Sequence, residues 1–152
     1  MADQSHNKKG LWPLNPDAVV SYLPVKASTA LAAGDAIILT SNQVDLGLAA
    51  SAELAGVMAE STTTAISGGT LVGVYANPSE KFVGKTSGAN ALAVGAACDI
   101  EGGTGAMLIN ENATSTNVLL AWGAYDPEEV DTSAGRRQIV SIRLHAFAEV
   151  SS

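Results

Sequence analysis

The segment Gln138–Ala148, QIVSIRLHAFA, carries the strongest strand signal in the chain. Its residues alternate between two sets. Val140, Ile142, Leu144 and Ala146 form one set, and Ser141, Arg143, His145 and Phe147 form the other. Because successive side chains of a β-strand point to opposite faces, this period of two predicts a strand with one buried face. The same pattern predicts that His145 lies on the outward face.

Upstream of this segment, short apolar runs are separated by Gly, Ser, Thr and Asn. Runs of this length between turn residues are typical of β-strands. Only residues 49–54 have a helix-forming composition, and they suffice for a turn or two. Further strands are predicted at 19–25, 36–40, 56–59, 71–75, 81–83, 106–109 and 118–122, with a hairpin joining 56–59 to 71–75 through Gly68-Gly69. The predicted fold is therefore all-β, a small β-barrel or sandwich of short strands with an extended N-terminal arm.

One internal similarity bears on the arrangement of these strands. Residues 30–36, ALAAGDA, resemble residues 91–97, ALAVGAA, and each stretch precedes an apolar run. In a chain rich in alanine this similarity is either coincidental or the trace of two similar β-lobes.

The N-terminal residues 1–17 differ in composition from the β-rich domain predicted for 18–152. They are polar at first, and Pro13 and Pro16 exclude a regular helix. Leu11, Trp12 and Leu14 are apolar residues in a segment too polar to form its own core. The segment is either a frayed terminus or an arm that orders on a neighbouring subunit through these three side chains. On the second hypothesis, deleting residues 1–17 leaves the fold intact and weakens partner binding.

Composition restricts the function classes. The 152 residues suit one domain plus an arm, and 15% charged residues is well below the roughly 25% of an ordinary soluble domain. So few charges favour a surface that is partly covered by another subunit. The net charge of −7 argues against binding nucleic acid or an anionic membrane. Because no signal peptide or long apolar run is found, we expect a protein that is made and kept in the cytoplasm, or one that leaves it only by cell lysis.

No motif predicts catalysis. Gly84-Lys85-Thr86 matches the end of a phosphate-binding loop, but Ser79 stands where that loop needs glycine and a turn follows. Cys98 is the single cysteine, and a small core residue is its better interpretation.

Nor does any motif predict a metal site. His6 and His145 lie far apart in the sequence without ligand-spaced neighbours. The acidic cluster Asp126, Glu128, Glu129 and Asp131 lacks the spacing of a calcium loop and suits a solvated loop. Arg136 and Arg137 follow it and can pair either with these acids or with those of a partner. We therefore predict a non-enzymatic protein without cofactor or metal.

Three stretches in order resemble tailed-phage capsid decoration proteins, which are also called head-stabilising or cement proteins. They are AGDAIIL (33–39), LAGVMA (54–59) and GTLVGV (69–74), and residues 93–97 and 107–109 continue the likeness. The resemblance extends over about residues 20–125 and carries no catalytic residues.

The resemblance implies a structural virion protein of a bacteriophage, assembled in the host cytoplasm. Such proteins sit on the outer capsid surface, commonly as homotrimers, and stabilise the shell by clamping neighbouring subunits. The implied partners are the major capsid protein and further copies of this chain. The alternative is a phage tail or head–tail connector subunit, which would form rings of six or twelve. A β-barrel binding module or polysaccharide-active enzyme is less favoured, because Trp12 and Trp122 are the only tryptophans.

Overall fold

The computed structural model describes residues 10–88, 92–111, 116–126 and 136–147, and these contain strands and turns without a helix. The all-β prediction is confirmed, and residues 49–54 contain a turn, a bend and the isolated bridge of Leu54 rather than a helix. The strands are β1 (Trp12–Pro13), β2 (Ser21–Pro24), β3 (Ala36–Thr40), β4 (Gln43–Leu46), β5 (Gly56–Met58), β6 (Leu71–Tyr75), β7 (Lys81–Lys85), β8 (Ala97–Glu101), β9 (Leu108–Asn110), β10 (Leu119–Ala124) and β11 (Arg137–Ile142).

The strands form two antiparallel sheets. One sheet has the order β1-β7-β11-β10-β8-β9 and the other the order β2-β6-β5-β3-β4. The predicted hairpin between β5 and β6 is present, with Val57 opposite Tyr75. The sequence patterns missed three strands, namely β1, β4 and β8.

The two sheets repeat one arrangement of strands. Without β1, the order β7-β11-β10-β8-β9 corresponds strand for strand to β2-β6-β5-β3-β4. The registers correspond as well: Ala36–Val57–Tyr75 across the smaller sheet matches Ala97–Leu120–Ser141 across the larger one, and Tyr22–Gly73 matches Val83–Ile139. We call β2–β6 the first lobe and β7–β11 the second lobe.

The two similar sequence stretches occupy equivalent places in the two lobes. Gly34 and Gly95 both have positive φ, 97° and 86°, in the turn that precedes β3 or β8. Glycine adopts this backbone conformation without steric cost. The Gly34 N–H donates to the Met58 carbonyl, and the Gly95 N–H donates to the equivalent Ala121 carbonyl. The similarity between the stretches therefore marks a structural repeat.

Two apolar clusters form the core. One lies inside the first lobe, around Ile37, Val44 and Val74. The other joins both lobes, since Ala36 and Val57 of the first lobe belong to the same cluster as Phe82 and Ile109 of the second. Strand β3 is thus buried on both faces, by Ala36 on one and Ile37 on the other.

The alternating segment departs from its prediction at the end. Strand β11 stops at Ile142, and the chain bends at Arg143 and Leu144. His145 then forms an isolated bridge with Leu54 and is buried, while Leu144 is exposed. The outward placement of His145 is therefore wrong, because the period of two holds only while the strand continues.

Candidate partner-binding surface

Residues 10–14 belong to the second lobe. Trp12 and Pro13 pair with Val83 and Phe82 of β7, and the Leu14 N–H donates to the Lys81 carbonyl at 2.9 Å. This part of the predicted arm is an edge strand of the sheet, which moves the start of the folded domain from residue 18 to Gly10. Residues 1–9 lie outside the described part of the chain.

Leu11 is a core residue. It is 1% exposed and lies in the cluster shared by the two lobes, and its N–H donates to the Gly34 carbonyl at 2.8 Å. A Cβ atom placed on Gly84 would lie 2.3 Å from Leu11 Cδ2, so the leucine occupies the space that a side chain at position 84 would take. The prediction that Leu11 contacts a partner is corrected, because a side chain buried in its own fold is not available to another chain.

Trp12 and Leu14 lie on the outer face of the same sheet. Side chains directly opposite across a strand pair share a face, so Trp12 lies with Val83 and Leu14 with Lys81. Phe82 and Gly84 point the other way, toward the core. Trp12 is half-buried, whereas Leu14 remains 40% exposed.

Trp122 joins this face from β10. A register shift between Ala121 and Gly123 places Trp122 in a β-bulge, a feature that redirects a side chain. Its Nε1–H donates to Ser141 Oγ at 2.8 Å, and Lys81 Nζ lies 4.1 Å from the ring centroid. These two contacts fix the orientation of a ring that is still 46% exposed. We call Trp12, Leu14, Lys81 and Trp122 the aromatic face.

Two members of the aromatic face, Trp12 and Leu14, were predicted from sequence as partner-binding residues, whereas Lys81 and Trp122 were not. Lys81 and Ser141 are opposite each other in the β7–β11 register, which places both beneath Trp122. The available signal was that the chain has only two tryptophans. Strand periodicity places Trp122 on the face opposite Ala121, but it does not show that β7 and β11 bring Lys81 and Ser141 beneath the ring, because strand order depends on long-range pairing.

The acidic cluster is described only at Asp126. Its carboxylate lies 3.8 Å from Arg137 Nη2, and the Arg137 guanidinium also lies 5.3 Å from the Tyr125 ring centroid. Of the two pairings left open for Arg137, the one with this cluster is present at Asp126. Glu128, Glu129 and Asp131 lie outside the described residues, as does His6.

The buried titratable groups are structural. Cys98 is a fully buried core residue, as predicted, and burial raises the pKa of its thiol to about 12. Burial lowers the pKa of His145, whose Nδ1 accepts a hydrogen bond from the Phe147 N–H at 3.0 Å. Gly84 and Lys85 lie within β7 rather than in a phosphate-binding loop. No group of three or more metal-ligating side chains occurs among the described residues.

Comparison with protein-family models, with curated sequences and with solved structures finds no match to this chain. The described residues include no helix of the length and apolarity needed to span a membrane.

Proposed function

We propose that this protein is a structural component of a phage virion that binds the outer surface of the capsid and stabilises it by clamping neighbouring subunits. On this proposal it acts as a homotrimer without enzymatic activity, and its partner is the major capsid protein. The support is the sequence resemblance to decoration proteins together with the aromatic face of the second lobe.

The aromatic face is the observation that carries the proposal. In a chain with only 5% aromatic residues, both tryptophans belong to it. Tryptophan is enriched among the residues that contribute most to protein–protein binding. The contacts of Trp122 with Ser141 and Lys81 hold its ring in one orientation, which lowers the entropy that a partner must remove on binding.

Binding through the aromatic face requires a broad contact, because one tryptophan contributes too little free energy. Burying a Trp side chain removes about 150–250 Å² from water. Trp122 is already half-buried, so further burial removes about half of that area from water, or roughly 2–3 kcal/mol at 25 cal/mol/Å². Stable association needs more than this, because lost translational and rotational freedom opposes it. The partner must therefore cover Leu14 and Trp12 together with Trp122.

Co-sedimentation with expanded capsids that lack the protein tests this proposal. We expect the wild-type chain to pellet with the capsids and Trp122→Ala to bind at least about tenfold more weakly, which corresponds to about 1.4 kcal/mol. Leu48→Ala is the matched control, since Leu48 is 54% exposed but lies in the first lobe. Equal weakening by both substitutions would contradict a specific role for the aromatic face. Failure of the wild-type chain to bind would contradict the proposed function.

A further inference from the structure

Because the two lobes repeat one arrangement of strands, the outer edge of β2 can be compared with the equivalent edge of β7. In the second lobe, β1 covers the outer edge of β7, and Val83 beneath it is 0% exposed. The register-equivalent residue of the first lobe is Tyr22 on β2, and it is 64% exposed. Strand β4 reaches this edge only past the end of β2, where the Lys26 N–H donates to the Val44 carbonyl at 3.0 Å and Val25 forms an isolated bridge with Val44. No described strand pairs with the edge beside Tyr22.

The backbone of β2 presents hydrogen-bonding groups at this edge. The Val25 N–H donates to the Thr70 carbonyl on the β6 side at 2.9 Å. Because the N–H and C=O groups of alternate residues point to opposite edges of a strand, Tyr22 directs both groups away from β6. Pro24 has no N–H, so Tyr22 is the one β2 residue that can exchange two hydrogen bonds with an added strand. Its equivalent, Val83, does this with Trp12.

Exposed apolar side chains surround the same edge. Val19 precedes β2 and is 69% exposed, and Leu71, opposite Pro24, is 61% exposed. Exposed sheet edges are normally covered or blocked, because they promote pairing with other chains. Pro24 blocks part of the β2 edge, and exposed apolar side chains lie beside the rest of it. This combination is typical of an edge that binds another strand.

We infer that the β2 edge binds an extended segment of a different protein chain by β-strand addition, with a large apolar residue of that segment beside Tyr22. On the proposed function, on which this identification of the partner rests, the segment belongs to a capsid subunit. Strand β1 shows the geometry of such an occupant. The segment bound at β2 differs from β1 in one respect. In the second lobe, Leu11 fills the space above Gly84, whereas the first lobe has Leu23 at the equivalent position, so the bound segment needs no residue equivalent to Leu11.

Charge favours a foreign chain over a second copy. Glu60 lies on the Tyr22 side of the sheet, where its Oε2 is 3.4 Å from the position a Cβ on Gly73 would take. Two paired β2 edges would bring a Glu60 from each copy to one sheet, where the like charges repel each other. The outer edge of β1 is also a poor partner, since Pro13 has no N–H and the Leu11 N–H is bonded to Gly34. A segment with a basic residue near Glu60 fits this edge better.

Substitutions at Tyr22 separate the backbone contribution from that of the side chain. Tyr22→Pro removes the outward N–H and leaves the bonds to β6 in place, and we expect it to weaken binding to expanded capsids by about tenfold or more. Tyr22→Ala keeps the N–H and should weaken binding less, and Tyr22→Phe should bind as wild type does. Wild-type affinity for Tyr22→Pro would overturn the inference while leaving the proposed function intact. Failure of the wild-type chain itself to bind would overturn the proposed function, and with it the capsid segment as occupant.

Hydrogen–deuterium exchange on the wild-type chain gives a test that no unfolding of a variant can obscure. The Tyr22 amide should exchange rapidly in the free protein and slowly on the capsid. The Leu23 amide, which points toward β6, is the internal control and should be protected in both states. A Tyr22 amide that stays unprotected on the capsid would contradict strand addition. Protection in the free protein that rises with protein concentration would show that a second copy occupies the edge, and would overturn the choice of a foreign chain.

Discussion

Leu23 and Gly84 occupy equivalent positions in the two lobes, and the difference between them explains the burial of Leu11. In the first lobe the strand supplies its own leucine, which packs against the cluster inside that lobe. In the second lobe the strand has glycine, and Leu11 from the N-terminal segment occupies the space above it. Leu11, although it lies in a polar N-terminal segment, thus completes the core at the place where β7 has a glycine and therefore no side chain.

This packing predicts coupling between Leu11 and Gly84. Leu11→Ala should cost about 2–5 kcal/mol by leaving a cavity, and Gly84→Ala about 1–3 kcal/mol by overpacking. In the double variant the new methyl group enters the vacated space, so the combined loss should be smaller than the sum. Chemical denaturation of the four proteins measures this interaction. Additive losses would show that the two residues do not share one site.

His145 predicts a dependence of stability on pH. Burial lowers its pKa below the ordinary value of 6.5, so the unfolded chain binds the proton more readily than the folded chain. The contribution of neutral His145 is fully present above that value and is lost as the pH falls through 6.5 toward the folded pKa. Protonation of Nδ1 would also break its hydrogen bond with the Phe147 N–H.

Comparison with His145→Gln isolates this contribution. Between about pH 7.5 and about pH 5.5, the wild-type chain should lose more unfolding free energy than the variant does. Asp35 is also buried, and burial raises its pKa, so its contribution has the opposite sign. Since Asp35 is present in both proteins, it cancels in the comparison. Equal losses would contradict the assignment to His145.

At the level of strands, the sequence predicted those whose residues are apolar. Strands β3 and β6 have the predicted bounds, because Ala36–Thr40 and Leu71–Tyr75 are apolar runs between turn residues. Strand β8 was missed because its sequence ACDIE contains two acids. The fold accommodates Asp99 there through the backbone N–H groups of Thr116 and Asn117, at 3.1 and 2.6 Å. Such long-range satisfaction of a buried carboxylate has no local sequence signal.

Strand β1 leads to a revised prediction for truncation. Deleting residues 1–9 keeps β1, whereas deleting residues 1–14 removes Leu11 and uncovers Phe82 and Val83. The longer deletion should lower the unfolding free energy by at least about 2–5 kcal/mol relative to the shorter one, the usual cost of truncating a buried leucine. Thermal or denaturant unfolding of the two truncated chains measures the difference. Equal stability of the two truncated chains would show that residues 10–14 are a separable arm and not part of the folded domain.

For the whole molecule, a repeat could be suspected from the sequence. That all five strands of one lobe correspond in order and register to those of the other could not be predicted. The stretches 30–36 and 91–97 are short and rich in alanine, and strand order depends on long-range pairing that no local pattern specifies. The aromatic face was beyond prediction for the same reason, since it requires β1, β7 and β10 to be placed in one sheet. Its position on one lobe gives the molecule two unlike surfaces despite the repeated fold.

Electron cryomicroscopy of capsids decorated with the wild-type chain tests the central claim most directly. The account predicts density for this protein on the outer surface, with three copies around a local symmetry axis and the aromatic face of each copy against a neighbouring subunit. Density at a tail or head–tail connector, in rings of six or twelve, would contradict the account and support the alternative function. Density on the outer surface with Leu14 and Trp122 facing solvent would contradict the assignment of the aromatic face as the binding surface.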